Sequence, residues 1–151
     1  SIICFEPGEE FHTRLEKRGR GKKVTAIRAG VYQESTTLQF NAEAGKGSSI
    51  SSNAEHTISI PVRAIDDVPE CKDATFIKMD VEGFEREALW GASRTIARHA
   101  PKLIVAMYHR NEDIFELPLL VKKLNPNYKI YIRHRLYIPA WETNLYAVAE
   151  S

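Results

Sequence analysis

A charge excess of either sign, cysteine in quantity and long apolar runs are all missing from this sequence. Lys and Arg number 21 against 20 Asp and Glu, a net charge of +1 over 151 residues. Gripping nucleic acid through bulk charge is therefore not expected, because neutralising several phosphates takes a clustered basic excess. The longest apolar stretches, residues 103–108 and 117–121, fall far short of the ~20 residues that span a bilayer. No stretch reads as a signal peptide or membrane anchor. Cys4 and Cys71 are the two cysteines, with neither a CxxC nor a Cys/His zinc spacing. Two thiols cannot staple a chain of this size, so they are expected to be free, in a reducing compartment such as the cytoplasm.

What is present is an ordinary globular composition, 43% hydrophobic and 27% charged, in the size range of one domain spanning residues 1–151. The opening Ser-Ile-Ile-Cys-Phe-Glu-Pro carries a buried-strand pattern from its first residue. A chain that starts inside its own core is expected to have lost a preceding part.

Punctuation and periodicity divide the chain. Residues 2–5 read as a strand stopped by Glu6-Pro7-Gly8, and residues 9–18 as a helix with Phe11 and Leu15 at i, i+4 spacing. Residues 24–29 form a second strand closed by Gly30. Residues 36–40 and 56–62 are β-branched or alternating runs flanking a Gly/Ser-rich loop at 41–53, and can pair as an antiparallel excursion. Residues 75–80 are a compact strand that switches at Glu82-Gly83 to helical period, with Phe84, Ala88, Leu89, Ala92 and Ile96 on one face until Pro101. Residues 103–108 suit a central strand covered on both faces. Residues 111–124 read as a helix with Ile114, Leu117, Val121 and Leu124 inward and Pro118 restarting it at a first turn. Residues 128–133 and 145–149 are two last strands, with a turn around Trp141 between them. Strands alternating with helices predict an α/β fold with a mostly parallel sheet, and the final helix-free pair predicts one antiparallel strand.

In open α/β sheets ligands gather beyond the carboxyl ends of strands, and four polar clusters fall there. Glu6-Pro7 ends the first strand, where an acid can accept two hydrogen bonds from a ribose diol, or simply cap the following helix as a solvated acid. Asp80-Val81-Glu82-Gly83 stands at a strand-to-helix switch. Its carboxylates can order a polar substrate, take a proton or hold a cation, or merely decorate a helix N-terminus. Tyr108-His109-Arg110 follows the most apolar strand, and a histidine there can deprotonate a hydroxyl or cap a loop carbonyl. Arg133-His134-Arg135 with Trp141-Glu142 can hold an anionic group or be a solvated turn with its tryptophan in the core.

The run Phe76-Ile77-Lys78-Met79-Asp80-Val81-Glu82-Gly83-Phe84-Glu85, closing in Leu89-Trp90-Gly91-Ala92, resembles the signature block of FkbM-type S-adenosylmethionine-dependent methyltransferases. Phe5-Glu6-Pro7 is similar to that family's second-strand motif, and Pro61-Val62-Arg63-Ala64-Ile65-Asp66-Asp67 to the segment before the signature. Gly47-Ser48-Ser49 is similar to its loop serines, and Tyr108-His109-Arg110-Asn111-Glu112-Asp113, Pro118-Leu119-Leu120, Tyr131-Ile132-Arg133-His134 and Trp141-Glu142-Thr143 to the tail of one branch. The family's opening strand with its Asp-x-Gly-x-x-x-Gly turn does not precede Ser1. The resemblance therefore implies a three-layer Rossmann-like class I methyltransferase sheet lacking its first central strand, between residues 2–5 and residues 75–80. The chain would then be the C-terminal portion of a larger enzyme.

By position, the resemblance implies that Glu6 and Pro7 hold the ribose of S-adenosylmethionine and that Gly30 and Val31 flank its adenine. Asp80 would face the methyl-transfer centre, Glu82 would order the helix start or help with a cation, and His109 would be the base. The acceptor would be a hydroxyl of a small molecule, sugar or lipid. A divalent metal on Asp80, Glu82 and His109 is conceivable, but no ligand triplet is fixed by spacing, and none is assigned. Two rivals stand beside this reading: a non-catalytic methyltransferase-fold remnant acting as a binding or assembly module, and a metal-assisted hydrolase using Asp80 and Glu82.

Overall fold

The computed structural model describes residues 1–41, 57–135 and 142–149. The expected loop serines Gly47-Ser48-Ser49 and the expected turn around Trp141 lie outside the described residues.

Among the described residues nine strands and four α-helices follow in order: β1 (Ile2–Phe5), α1 (Glu9–Gly19), β2 (Val24–Ile27), β3 (Gly30–Val31), β4 (Thr36–Asn41), β5 (Thr57–Arg63), β6 (Phe76–Met79), α2 (Glu85–Trp90), α3 (Ser93–His99), β7 (Lys102–Ala106), α4 (Asp113–Leu124), β8 (Tyr128–His134) and β9 (Thr143–Ala149). Short 3-10 turns at Ile65–Asp67 and Pro69–Cys71 lead into β6. Charge placement favours the helix ends. α1 carries Glu9 and Glu10 in its first turn and Lys17 and Arg18 in its last, and α4 carries Asp113 and Glu116 first and Lys122 and Lys123 last, each sign matching the helix dipole.

The strands form three sheets, ordered β1-β2, β3-β5-β4 and β6-β7-β9-β8. β1 pairs parallel with β2, β3 with β5 and β6 with β7. β9 runs antiparallel to both β7 and β8, as the helix-free final pair predicts, and β4 runs antiparallel to β5 with Leu38 opposite Ile60. The result is an α/β fold with mixed sheets. The expectation of one mostly parallel sheet with a single antiparallel strand is corrected on two points: β4 is a second antiparallel strand, and the described strands fall into three sheets rather than one, with no ladder among them joining β1 to β6. Their outer edges carry exposed apolar side chains, Ile2 at 60% and Phe76 at 53%, so β1 is not the buried strand its composition predicts.

The core is centred on β7 and β9. Leu103, Val105, Leu145 and Ala147 are essentially buried, and Ala88, Leu89, Ile96, Leu117 and Val121 from α2, α3 and α4 close over them. Tyr128 is buried with its hydroxyl donating to the Pro101 carbonyl at 2.6 Å, and burial pushes that phenol up to about 12. Ile3, Phe5, Ile27 and Val31 pack against this same core, so β1, β2 and β3 are held to it by side chains rather than by backbone ladders.

Two helix expectations are corrected. The single helix over residues 84–96 is broken into α2 and α3 at Gly91-Ala92. Gly91 lies so close to the Tyr32 carbonyl that a Cβ there would overlap it, and its own carbonyl accepts the Asp66 N–H at 2.8 Å. In α4, Pro118 does not restart the helix but sits inside it. Ile114, expected inward, is exposed while Leu117 and Val121 are fully buried, because α4 turns a narrower face to the core than its apolar content suggests.

Candidate functional site

β6 and β7 are parallel neighbours with Met79 opposite Val105. Their carboxyl ends therefore emerge side by side, and the residues that follow, Asp80 and Val81 on one side and Met107, Tyr108 and His109 on the other, form one constellation. The Met107 N–H donates to the Thr143 carbonyl at 2.9 Å, which carries the β7 register past the end of the strand.

After Asp80 the chain reverses over Val81-Glu82-Gly83-Phe84, closed by the Phe84 N–H on the Val81 carbonyl at 3.2 Å. Both central residues have positive φ, 54° at Glu82 and 96° at Gly83. Glycine adopts this freely, whereas a side chain at Glu82 costs about 1 kcal/mol. The turn delivers Glu85 to the first position of α2, on the same face as the buried Ala88 and Leu89.

Glu85 is only 1% exposed. Its Oε1 accepts the Val81 N–H at 2.9 Å and lies 2.8 Å from His109 Nδ1, while Oε2 is buried without a partner. On the other side of the ring, His109 Nε2 lies 3.6 Å from Asp80 Oδ1 and 3.6 Å from Glu82 Oε2. Tyr108 donates its hydroxyl to Asp80 Oδ1 at 3.0 Å, and Lys78 Nζ stands 3.7 Å from the other oxygen of that carboxylate.

Burial works against charge on His109, but the Glu85 carboxylate, with Glu82 and Asp80 beyond it, outweighs this and holds its pKa above the ordinary 6.5. Burial also opposes ionisation of Glu85, and the hydrogen bonds from His109 and Val81 overcome it, so that its pKa falls below the usual value. Tyr108 is raised well beyond an ordinary phenol by burial and by the Asp80 carboxylate. Asp113, whose Oδ2 accepts the Arg110 N–H at 3.1 Å, is pushed up to about 6, first by burial and then by Glu85 and Glu112, partly offset by the Arg110 N–H and charge.

One atom each from Asp80, Glu85 and His109 lie within 4.8 Å of one another, a spacing that could hold a metal ion. The Glu85–His109 hydrogen bond and the Val81 N–H already occupy Glu85 Oε1, while Asp80 stands 3.6 Å from His109 Nε2 without a hydrogen bond to it.

The structure thus brings Asp80, Glu82 and His109 together. The other expected residues reach this place less directly. Glu6 follows β1, with its N–H on the Ile27 carbonyl at 3.1 Å and its Oε1 accepting the Gly8 N–H at 2.7 Å; Pro7 beside it is exposed. Gly30 and Val31 form β3, parallel to β5. Tyr32, next in the chain, meets Phe84 edge-on with ring centroids 6.1 Å apart, and Arg110 lies over the same Phe84 ring at 5.8 Å. β3 is thereby tied to the turn that carries Glu82. Among the described residues no hydrogen bond or ion pair joins Glu6 to Asp80, Glu82 or His109. Arg133, His134 and Arg135 are exposed, and His134 Nδ1 is spent on Thr143 Oγ1 at 2.9 Å.

The sequence pattern does not single out Glu85 as a site residue. Its signal was present: a carboxylate three and four positions before Ala88 and Leu89, on the apolar stripe of its helix, is a charge that must find a partner.

A family model for the methyltransferase FkbM domain matches residues 2–137. Among solved structures, the chain is similar to a methyltransferase FkbM from Methylobacillus flagellatus KT, with 29% identity and a TM-score of 0.72. The match covers 97% of this chain and 36% of that one, so the chain spans about a third of that relative's length. No curated protein matches.

Proposed function

The chain belongs to the FkbM methyltransferase family, and from that premise we propose that it is the part of an S-adenosylmethionine-dependent O-methyltransferase that carries the proton-accepting side of the site. The acceptor is a hydroxyl of a small molecule, sugar or lipid, and the sheets are pieces of a Rossmann-like class I methyltransferase sheet. The strand order β6-β7-β9-β8 with β9 reversed supports that architecture. Two free cysteines, Cys4 and Cys71, support a cytoplasmic setting.

When bound, the donor would supply an electrophilic sulfonium methyl. The residues present fit such a group: the carboxylates of Asp80 and Glu82, 38% and 68% exposed, lie on the Nε2 side of His109, and negative charge there favours a cation nearby. Glu6 is fixed at the end of β1 by the Gly8 N–H on Oε1, leaving Oε2 for a ribose hydroxyl. Pro7 would sit beside the ribose, and Gly30 and Val31 would flank the adenine. His109 accepts the acceptor's hydroxyl proton at Nε2, Asp80 faces the reacting oxygen, and Glu82 stabilises the protonated imidazole. Alignment of the hydroxyl and removal of its proton are the protein's main tasks in such a displacement.

The observation that carries this reading is His109 Nε2, 13% exposed on its side chain and standing between the Asp80 and Glu82 carboxylates at 3.6 Å from each. Calorimetry with S-adenosylmethionine tests it. Saturable heat at micromolar protein is expected, lost in Glu6→Ala and retained in Asp80→Ala. Silence from a protein that melts cooperatively would sink the reading and favour a non-catalytic binding or assembly module.

A further inference from the structure

The buried carboxylate of Glu85 lies on a helix face whose other members are apolar, and a charge in such a place persists only where hydrogen bonds hold it. Both of the bonds that hold it fall on one oxygen: Oε1 takes the Val81 N–H at 2.9 Å and meets His109 Nδ1 at 2.8 Å. An ionised carboxylate has no proton to offer, so the hydrogen in the second contact belongs to the imidazole. Nδ1 is then the donor, and the lone pair of the neutral ring sits on Nε2.

We infer that Glu85 is a positioning residue, which fixes His109 as the Nδ1–H tautomer and turns Nε2 toward the space between Asp80 and Glu82. The distances on that side, 3.6 Å to Asp80 Oδ1 and 3.6 Å to Glu82 Oε2, are too long for hydrogen bonds. Among the described residues Nε2 therefore has no hydrogen-bond partner, and it is open to a hydroxyl. The same Glu85 oxygen holds Val81, the residue between Asp80 and Glu82, so one buried carboxylate sets both the ring and the turn that faces it.

This assignment rests on the reading of His109 as the base, but its geometry is testable without an acceptor. In ¹⁵N-labelled protein, long-range ¹H–¹⁵N correlations report which imidazole nitrogen is protonated, with His109 identified by its loss in His109→Asn. Above its titration, His109 of the unaltered protein is expected to carry its proton on Nδ1. The charged groups that act on the ring are Glu85 on α2, Glu82 in the turn and Asp80 at the end of β6, and the Tyr108 ring packs against it at 4.4 Å. Among them Glu85 makes the hydrogen bond, so Glu85→Gln should keep the tautomer through its amide oxygen yet move the midpoint down by about one pH unit.

Glu85→Ala should release the ring to the Nε2–H form. Wild-type protein with its proton on Nε2, or a Glu85→Gln protein whose tautomer and midpoint are both unchanged, would overturn the inference; these two measurements decide it even if the alanine variant does not fold. The expected tautomer together with a silent S-adenosylmethionine titration would sink the methyl-transfer reading while leaving the Glu85–His109 arrangement in place.

Discussion

Asp66 and Thr95, 29 positions apart, are joined twice: Asp66 Oδ1 accepts the Thr95 N–H at 2.9 Å and the Thr95 hydroxyl at 2.7 Å. The other oxygen of the same carboxylate accepts the Arg94 N–H at 2.7 Å. Asp66 thus caps the first turn of α3 from a 3-10 turn elsewhere in the chain, satisfying N–H groups that a helix start leaves without intrahelical partners. Its side chain is 5% exposed, so water does not replace it freely.

Asp66→Ala is expected to lower stability by about 2 kcal/mol. Urea unfolding should show a lower midpoint at unchanged slope. A midpoint within experimental scatter of the parent would mean that the cap contributes nothing.

Gly91 meets the Tyr32 carbonyl where a Cβ would overlap it, and backbone cannot swing aside as a long side chain can. Gly91→Ala should destabilise by roughly 1–3 kcal/mol and disturb the Tyr32–Phe84 contact with it. Gly30→Ala is the comparison, because its Cβ would meet only Val62 Cγ1 at 3.3 Å. Thermal melts should rank the two with Gly91→Ala the lower.

Unequal effects are expected in the turn after Asp80. Gly83 has φ 96°, a conformation strained for any side chain, so Gly83→Ala should cost about 1 kcal/mol or more. Glu82 has φ 54°, and Glu82→Gly removes that strain at the expense of a more flexible unfolded chain. Its stability should stay within about 1 kcal/mol of the parent. Chemical denaturation of the two variants side by side checks the contrast.

The pH dependence of stability should carry the mark of Asp113. Its folded pKa, about 6, lies above the ordinary 3.8, so the folded state favours the protonated form. Stability is lost as pH rises from the unfolded value through about 6. Asp113→Asn keeps an acceptor for the Arg110 N–H and removes the charge. It should gain on the order of 1–3 kcal/mol at pH above ~7 and nearly nothing below ~4. A gain equal at both ends of the range would remove Asp113 as the cause.

Much of the arrangement was legible in the residues alone. Alternation and helical period located nearly every element, and the rule that strand ends carry the chemistry singled out Asp80, Glu82 and His109 before any contact was known. The breaks were not legible in the same way. Gly91 interrupts a helical stripe that runs unbroken from Phe84 to Ile96 in the pattern, because what forbids continuity is the backbone of Tyr32, 59 positions earlier by residue number. Pro118 reads as a helix start, yet α4 runs through it because Leu117 and Val121 are anchored in the core on either side.

By itself the sequence determined the order of most strands and helices and the placement of acids and a histidine at the ends of β6 and β7, since periodicity and turn chemistry are properties of neighbouring residues; β3 and the break between α2 and α3 were not in the pattern. Only the tertiary structure decided that β1 and β6 share a core without sharing a ladder, that Asp66 serves α3, and that the carboxylate engaging His109 at hydrogen-bonding distance is Glu85. Those are contacts between distant segments: a buried face shows in the pattern, but what covers it is settled only when the segments pack.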